Sequence, residues 1–184
     1  IMEAINLSKS SPAGVSYGST GVNSSQHLSV VMLNKATGAN FIHIPYRGSG
    51  PAALAAVAGE VPMTSTDLTA AHENIEAGNL TALGLTSVKR SKTAPDLPTI
   101  AEGGVPGFDG PSSFIGIMAP LGTPPERIRQ LSSDIAAILA KPDVQERVRA
   151  LSVEPDYEDE TTFGKYLASE SAKLKEVIKS LPPS

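Results

Sequence analysis

The segment Tyr17-Gly18-Ser19-Thr20-Gly21-Val22-Asn23-Ser24-Ser25-Gln26-His27-Leu28 passes from a β-prone stretch through small polar residues straight into a helix start. That junction constrains the fold, because a strand running directly into a helix is the repeating unit of α/β proteins. It also constrains the chemistry. Gly18 and Gly21 permit a tight turn and close ligand approach, the Ser and Thr side chains bring hydroxyls, and the first N–H groups of the helix carry partial positive charge into the loop. Ser19, Thr20, Gly21, Asn23, Ser24, Ser25 and His27 are therefore candidates for holding a carboxylate or phosphate without a Lys or Arg. The alternative is a loop that only caps its helix, a task for which Ser and Asn are favoured.

Downstream, short β-prone runs alternate with helical patterns: Val15–Gly18, Asn23–Thr37, Phe41–Pro45, Pro51–Ala58, Val61–Ser65, Leu68–Ala77 and Leu80–Thr86. Alternation of this kind predicts a mostly parallel sheet flanked by helices. Gly38, Gly59 and Gly78 stand where left-handed helix ends are expected. Gly48–Pro51 and Thr66–Asp67 fall at strand-to-helix junctions, so together with the first loop they converge on the sheet rim where α/β proteins bind ligands. Residues 87–113 form a Pro/Gly-rich crossover. Phe114–Ala119 then reads as a buried strand, Thr123 as the cap of a helix opened by Pro124-Pro125-Glu126, with Ile128, Leu131, Ile135 and Ile138 on its apolar face, and Pro142–Ala150 and Thr161–Ser180 as further helices. The acidic run Glu154–Glu160 reads as a solvated loop. Charge divides the chain: residues 1–110 carry 14 charged side chains and residues 111–184 carry 20, which suggests two structural units, the α/β alternation over 1–110 and a separate unit over 111–184.

Composition removes several classes. A net charge of −4 with four Phe, four Tyr and no Trp argues against nucleic acid, which requires a basic face and stacking rings. Without Cys there is no thiolate catalysis, disulfide or Cys-ligated zinc. His27, His43 and His72 lack the i, i+4 spacing of a zinc-binding pair, and no metal or other cofactor is expected. His27 and His43 are expected to be packed or hydrogen-bonded. A hydrolase reading needs a Gly-x-Ser-x-Gly elbow, and neither Gly18-Ser19-Thr20-Gly21 nor Gly48-Ser49-Gly50 has that spacing. A P-loop is missing its Gly-Lys-Ser/Thr, and the dinucleotide fingerprint its third Gly. What remains is a plain organic anion. Arg47 is an alternative anchor, Tyr46 a candidate wall of the site, and Asp67 either a helix cap or a ligand contact.

Four further motifs lie in fixed order: His43-Ile44-Pro45-Tyr46-Arg47-Gly48-Ser49-Gly50-Pro51-Ala52, Leu85-Thr86-Ser87-Val88-Lys89-Arg90-Ser91, Pro95-Asp96-Leu97-Pro98-Thr99-Ile100-Ala101-Glu102 and Met118-Ala119-Pro120 before Gly122-Thr123-Pro124. With the Tyr17–Leu28 segment, this series closely resembles the substrate-binding proteins of tripartite tricarboxylate transporters, the Bug receptors, from about Val15 to the C-terminus. The resemblance implies a periplasmic-binding-protein-like (type II) α/β fold, with residues 111–184 returning to a second lobe. It implies a non-catalytic, exported receptor whose two lobes close on a small carboxylated compound and dock on membrane permease subunits, and it places Asp67 facing the pocket. Family members open with a strand and a Pro-Gly-Gly loop that supply the other half of the site. The present chain is therefore expected to be part of a longer receptor, to bind its acid weakly alone, and to associate through apolar C-terminal faces such as Ile115, Ile117, Ile128, Leu131 and Ile135. The rival reading is an anion-binding α/β hydrolase fragment.

Overall fold

Three consecutive buried residues, Tyr17, Gly18 and Ser19, mark a strand covered on both faces. In the computed structural model, which describes residues 1–111, 114–151 and 153–179, β1 (Val15–Ser19), β2 (Phe41–Pro45) and β3 (Met63–Thr64) form a parallel sheet in the order β2-β1-β3. Tyr17 stands opposite His43 on one side and Met63 on the other. The strand expected over Val61–Ser65 is thus trimmed to its middle, while Phe41–Pro45 matches its expected bounds.

Helices α1 (Met2–Ser10), α2 (Ser25–Thr37), α3 (Ser49–Val57) and α4 (Leu68–Glu76) flank the sheet, confirming the α/β class. The unanticipated α1 buries Ile5 completely and places Ser8 Oγ to accept the Asn40 N–H at 3.1 Å. Ile5, Tyr17, Val30, Leu33, Phe41, Ile100, Val105 and Phe108 form one apolar cluster on the α2 side; the opposite face is closed by the small residues Ala52, Ala53 and Ala55 of α3. Small side chains let α3 approach closely. Gly18 makes room for Tyr46 on the same side, since a Cβ there would lie 3.0 Å from the Tyr46 ring. Gly38 ends α2 in the left-handed conformation, φ 70°, and Gly59 and Gly78 follow α3 and α4 with φ 74° and 73°.

Two expected strands are absent. Of Leu80–Thr86, Leu85 alone makes a bridge, to Thr99, because the crossover folds back on itself: Leu85 N–H donates to Pro98 O at 2.9 Å and Ile100 N–H to Leu85 O at 2.8 Å. Phe114–Ala119 is neither a strand nor buried; Ile115 is 85% and Ile117 75% exposed. No strand among the described residues runs beside it, and its first ring instead meets Phe163 and Tyr166 edge-on, with centroids 5.4 and 5.7 Å away.

The remaining helices are α5 (Pro125–Leu139), α6 (Pro142–Ala150) and α7 (Glu160–Lys179); Ser180, the expected end of the last, lies outside the described residues. Thr123 does not cap α5. Its hydroxyl donates to Pro120 O at 2.8 Å, and Pro124 occupies the cap position. Nor is Glu154 simply solvated: its carboxylate accepts from the Lys92 N–H and from Ser91 Oγ, tying the crossover to the approach of α7. Lys173 of α7 adds an ion pair to Asp109 at 2.8 Å.

Candidate functional site: an anion cradle at the sheet rim

A serine just before a helix has extended backbone angles while its carbonyl already accepts the first helical hydrogen bond, as Ser24 O does from Leu28 N–H at 2.9 Å, so its hydroxyl can turn back to the unpaired N–H groups of the first turn. Ser24 does so: Oγ accepts from His27 N–H at 3.1 Å and donates to Gly21 O at 2.8 Å. Gly21 adopts φ 134° and Asn23 φ 62°, which bends the chain from β1 into α2. The capping role expected of this loop is therefore real, and the loop is at the same time a concave run of backbone at a helix N-terminus.

Beneath it lies a polar stack. Ser19, fully buried, places Oγ 2.6 Å from His43 Nε2. The His43 ring stacks on His27 with centroids 4.0 Å apart, and His27 Nδ1 accepts the Asn23 N–H at 3.1 Å. Because Nδ1 accepts, neutral His27 carries its proton on Nε2. Burial lowers the pKa of both rings, and the neighbouring His27 helps push His43 down to about 4. Both histidines are thus hydrogen-bonded supports, as expected.

The Ser19–His43 pair has nucleophile-and-base spacing, but its chemistry points elsewhere. Ser19 is inaccessible, its hydroxyl also lies 3.2 Å from both Gly21 O and Gly21 N, and an imidazole titrating near 4 is a weak base. The pair braces the loop.

The three strand-to-helix loops do converge. Gln26, in the first turn of α2, donates through Nε2 to Asp67 Oδ1 at 2.6 Å, and Ser49, at the start of α3, donates to Asp67 Oδ2 at 2.5 Å. Thr66 Oγ1 donates to Ser49 O at 3.0 Å. Thr20 and Ser25 hydroxyls donate to Gln26 Oε1 at 2.8 and 3.0 Å. Asp67 occupies the cap position of α4 without making the side-chain cap bond; its carboxylate joins the rim instead. Gln26 and Ser49 had no individual signal in the sequence, because their role depends on Asp67, distant in the chain. Tyr46 is placed differently from the other candidates. Its N–H pairs with Ser19 O, but its ring lies over Gly18 and its hydroxyl reaches Glu60 at 3.4 Å. Arg47 is exposed. Among the described residues no cluster of metal-ligating side chains is found.

A parallel sheet in the order β2-β1-β3 with helices on both faces defines an α/β fold whose strand-to-helix loops meet on one rim. Over residues 1–182 the chain matches the tripartite tricarboxylate transporter family receptor, and it belongs to that family. It is 36% identical over 154 residues to a protein in the tcbD-tcbE intergenic region of Pseudomonas sp. (strain P51), covering 83% of this chain and 46% of the relative. Among solved structures it superposes on R. palustris Rpa4515 with adipate (TM-score 0.87, 31% identity, 97% of this chain and 60% of that one). It superposes also on the periplasmic binding protein BugD (TM-score 0.77, 30% identity, 97% and 60%). The chain spans about half the length of the curated relatives it matches. The resemblance read from the motifs and the periplasmic-binding-protein fold are both confirmed.

Proposed function

We propose that this chain provides the ligand-binding lobe of an extracytoplasmic solute receptor, which captures a small carboxylated compound and delivers it to membrane permease subunits of a tripartite tricarboxylate-type transporter. The observation carrying this reading is the Thr20–Ser25 loop, a helix N-terminus presented at the rim where the loops from all three strands meet. The adipate bound by the 31%-identical neighbour supports a carboxylate as the anion. Affinity comes from backbone N–H groups and ordered water, each hydrogen bond to a charged acceptor contributing about 1.5–3 kcal/mol. Ser19, Thr20, Gly21, Asn23, Ser24, Ser25, His27, Tyr46 and Asp67 form or support the site, with Tyr46 acting from the Gly18 side. The role is binding, not catalysis.

Residues 111–184 belong, in this reading, to the second lobe. Supporting it, α5, α6 and α7 contain no buried residue, and Leu131 and Ile138 of α5 are exposed. The test is calorimetric titration of the protein with a panel of mono-, di- and tricarboxylates. Saturable heat with at least one acid, lost on replacing Ser24 by Asp, supports the proposal; turnover of an ester or phosphoester by the same protein would replace it with the hydrolase reading.

A further inference from the structure

Gln26 is the hub of the rim, and its amide has two unlike ends. Nε2 donates to Asp67, while Oε1 accepts from the hydroxyls of Thr20 and Ser25. A half-turn of the amide exchanges the ends, so a neighbour must choose between them. Asp67 chooses. An ionised carboxylate accepts and never donates, which requires Nε2 on its side. Ser49 Oγ–H, on the other carboxylate oxygen, holds Asp67 in place, and Thr66 holds Ser49. Oε1 then faces Thr20 and Ser25. A carbonyl oxygen only accepts, so each hydroxyl commits its single proton to Gln26 and is left with lone pairs to offer.

We propose that Gln26 is a specificity-determining residue: its amide, oriented by Asp67, turns the Thr20 and Ser25 hydroxyls into acceptors, so the rim favours an acid that carries a hydrogen-bond donor beside its carboxylate, such as a 2-hydroxy acid, over the unsubstituted acid of equal length. The inference rests on the carboxylate-receptor reading and adds the donor requirement to it. A site built to accept a ligand hydroxyl discriminates against the analogue lacking it, because its polar atoms are then left unpaired.

Malate and succinate differ by that one hydroxyl and serve as probes. In titrations of the wild-type protein malate binds more tightly. In Gln26→Met, which removes the amide and frees both hydroxyl protons, and in Asp67→Asn, which lets the amide turn over, the malate-to-succinate preference falls by about threefold or more. A merely structural role weakens both acids together, and a preference unchanged in both variants overturns the inference while leaving the receptor reading intact. Binding of no carboxylate at all sinks the receptor reading and the preference with it. The amide's orientation is read separately by NMR: one Gln26 side-chain amide proton should lie downfield and return on Asp67→Asn but not on Thr20→Val. The opposite response shows the amide reversed and overturns the inference whatever binds.

Discussion

At the scale of single residues, Ser24 separates the structural and functional roles of the cradle. Asp caps a helix about as well as Ser but cannot donate to Gly21 O as Ser24 does, so Ser24→Asp should cost about 1 kcal/mol of stability, read by thermal melting. The added charge repels an anion, and affinity for a carboxylic acid should fall about tenfold or more in calorimetry. Thr20→Leu should weaken binding similarly by crowding the loop and removing a hydroxyl that meets Gln26. The turn at Gly21 was legible, because positive φ selects glycine; the helix expected from Asn23 instead starts at Ser25, with Asn23 at φ 62° and Ser24 as its cap. The Gln26–Asp67 contact was not legible, since a glutamine in a first helical turn looks the same whether it faces water or a carboxylate brought in by another loop.

Elements carry two further predictions. The His27–His43 stack ties α2 to β2, and Ser19 ties it to β1. Both rings titrate below the ordinary 6.5 of imidazole when folded, so the unfolded chain binds more protons between that value and about 4. Stability from the stack is therefore full above about pH 6.5 and lost as pH falls toward about 4. Chemical denaturation across that window should show the loss for the wild type and a flatter profile for His43→Gln. In the C-terminal segment, Gly116 lets the Phe163 ring approach: a Cβ would stand 2.5 Å from it. Gly116→Ala should lower the melting temperature, whereas Gly164→Ala, within α7 with open space around it, should stabilise by ~0.5–1 kcal/mol. Helices with strong periodicity and Pro starts were legible to the residue, as α6 over Pro142–Ala150 shows. Phe114–Ala119 and Leu80–Thr86 were misread because apolar β-prone residues make a strand only where another strand offers hydrogen bonds. Helix α1 was missed because no capping side chain marks its start, Ile1 standing at the cap position, and Ile5 holds it in place by packing.

Over the whole molecule, the core and the exposed surface are unevenly shared. Buried apolar side chains among the described residues run from Ile5 to Phe108, while Ile115, Ile117, Leu131 and Ile138 stay exposed. Apolar surface of this kind drives association, so sedimentation of the 184-residue chain should show concentration-dependent dimers or larger species, as the sequence leads one to expect; Ile115→Ser with Ile117→Ser should shift it toward monomer. In the proposed reading this chain supplies one lobe of a clamp that closes on its ligand, so the chain by itself should bind weakly. Weak binding is still visible in amide chemical shifts. The most direct test of the cradle is therefore an NMR titration of this chain with a dicarboxylate such as malate or adipate. The backbone amides of Thr20–Gln26 should move together and saturably. Shifts confined to the pocket lined by Met2, Ile5, Lys9, Val105, Phe108 and Lys173, or none at all, would contradict the assignment.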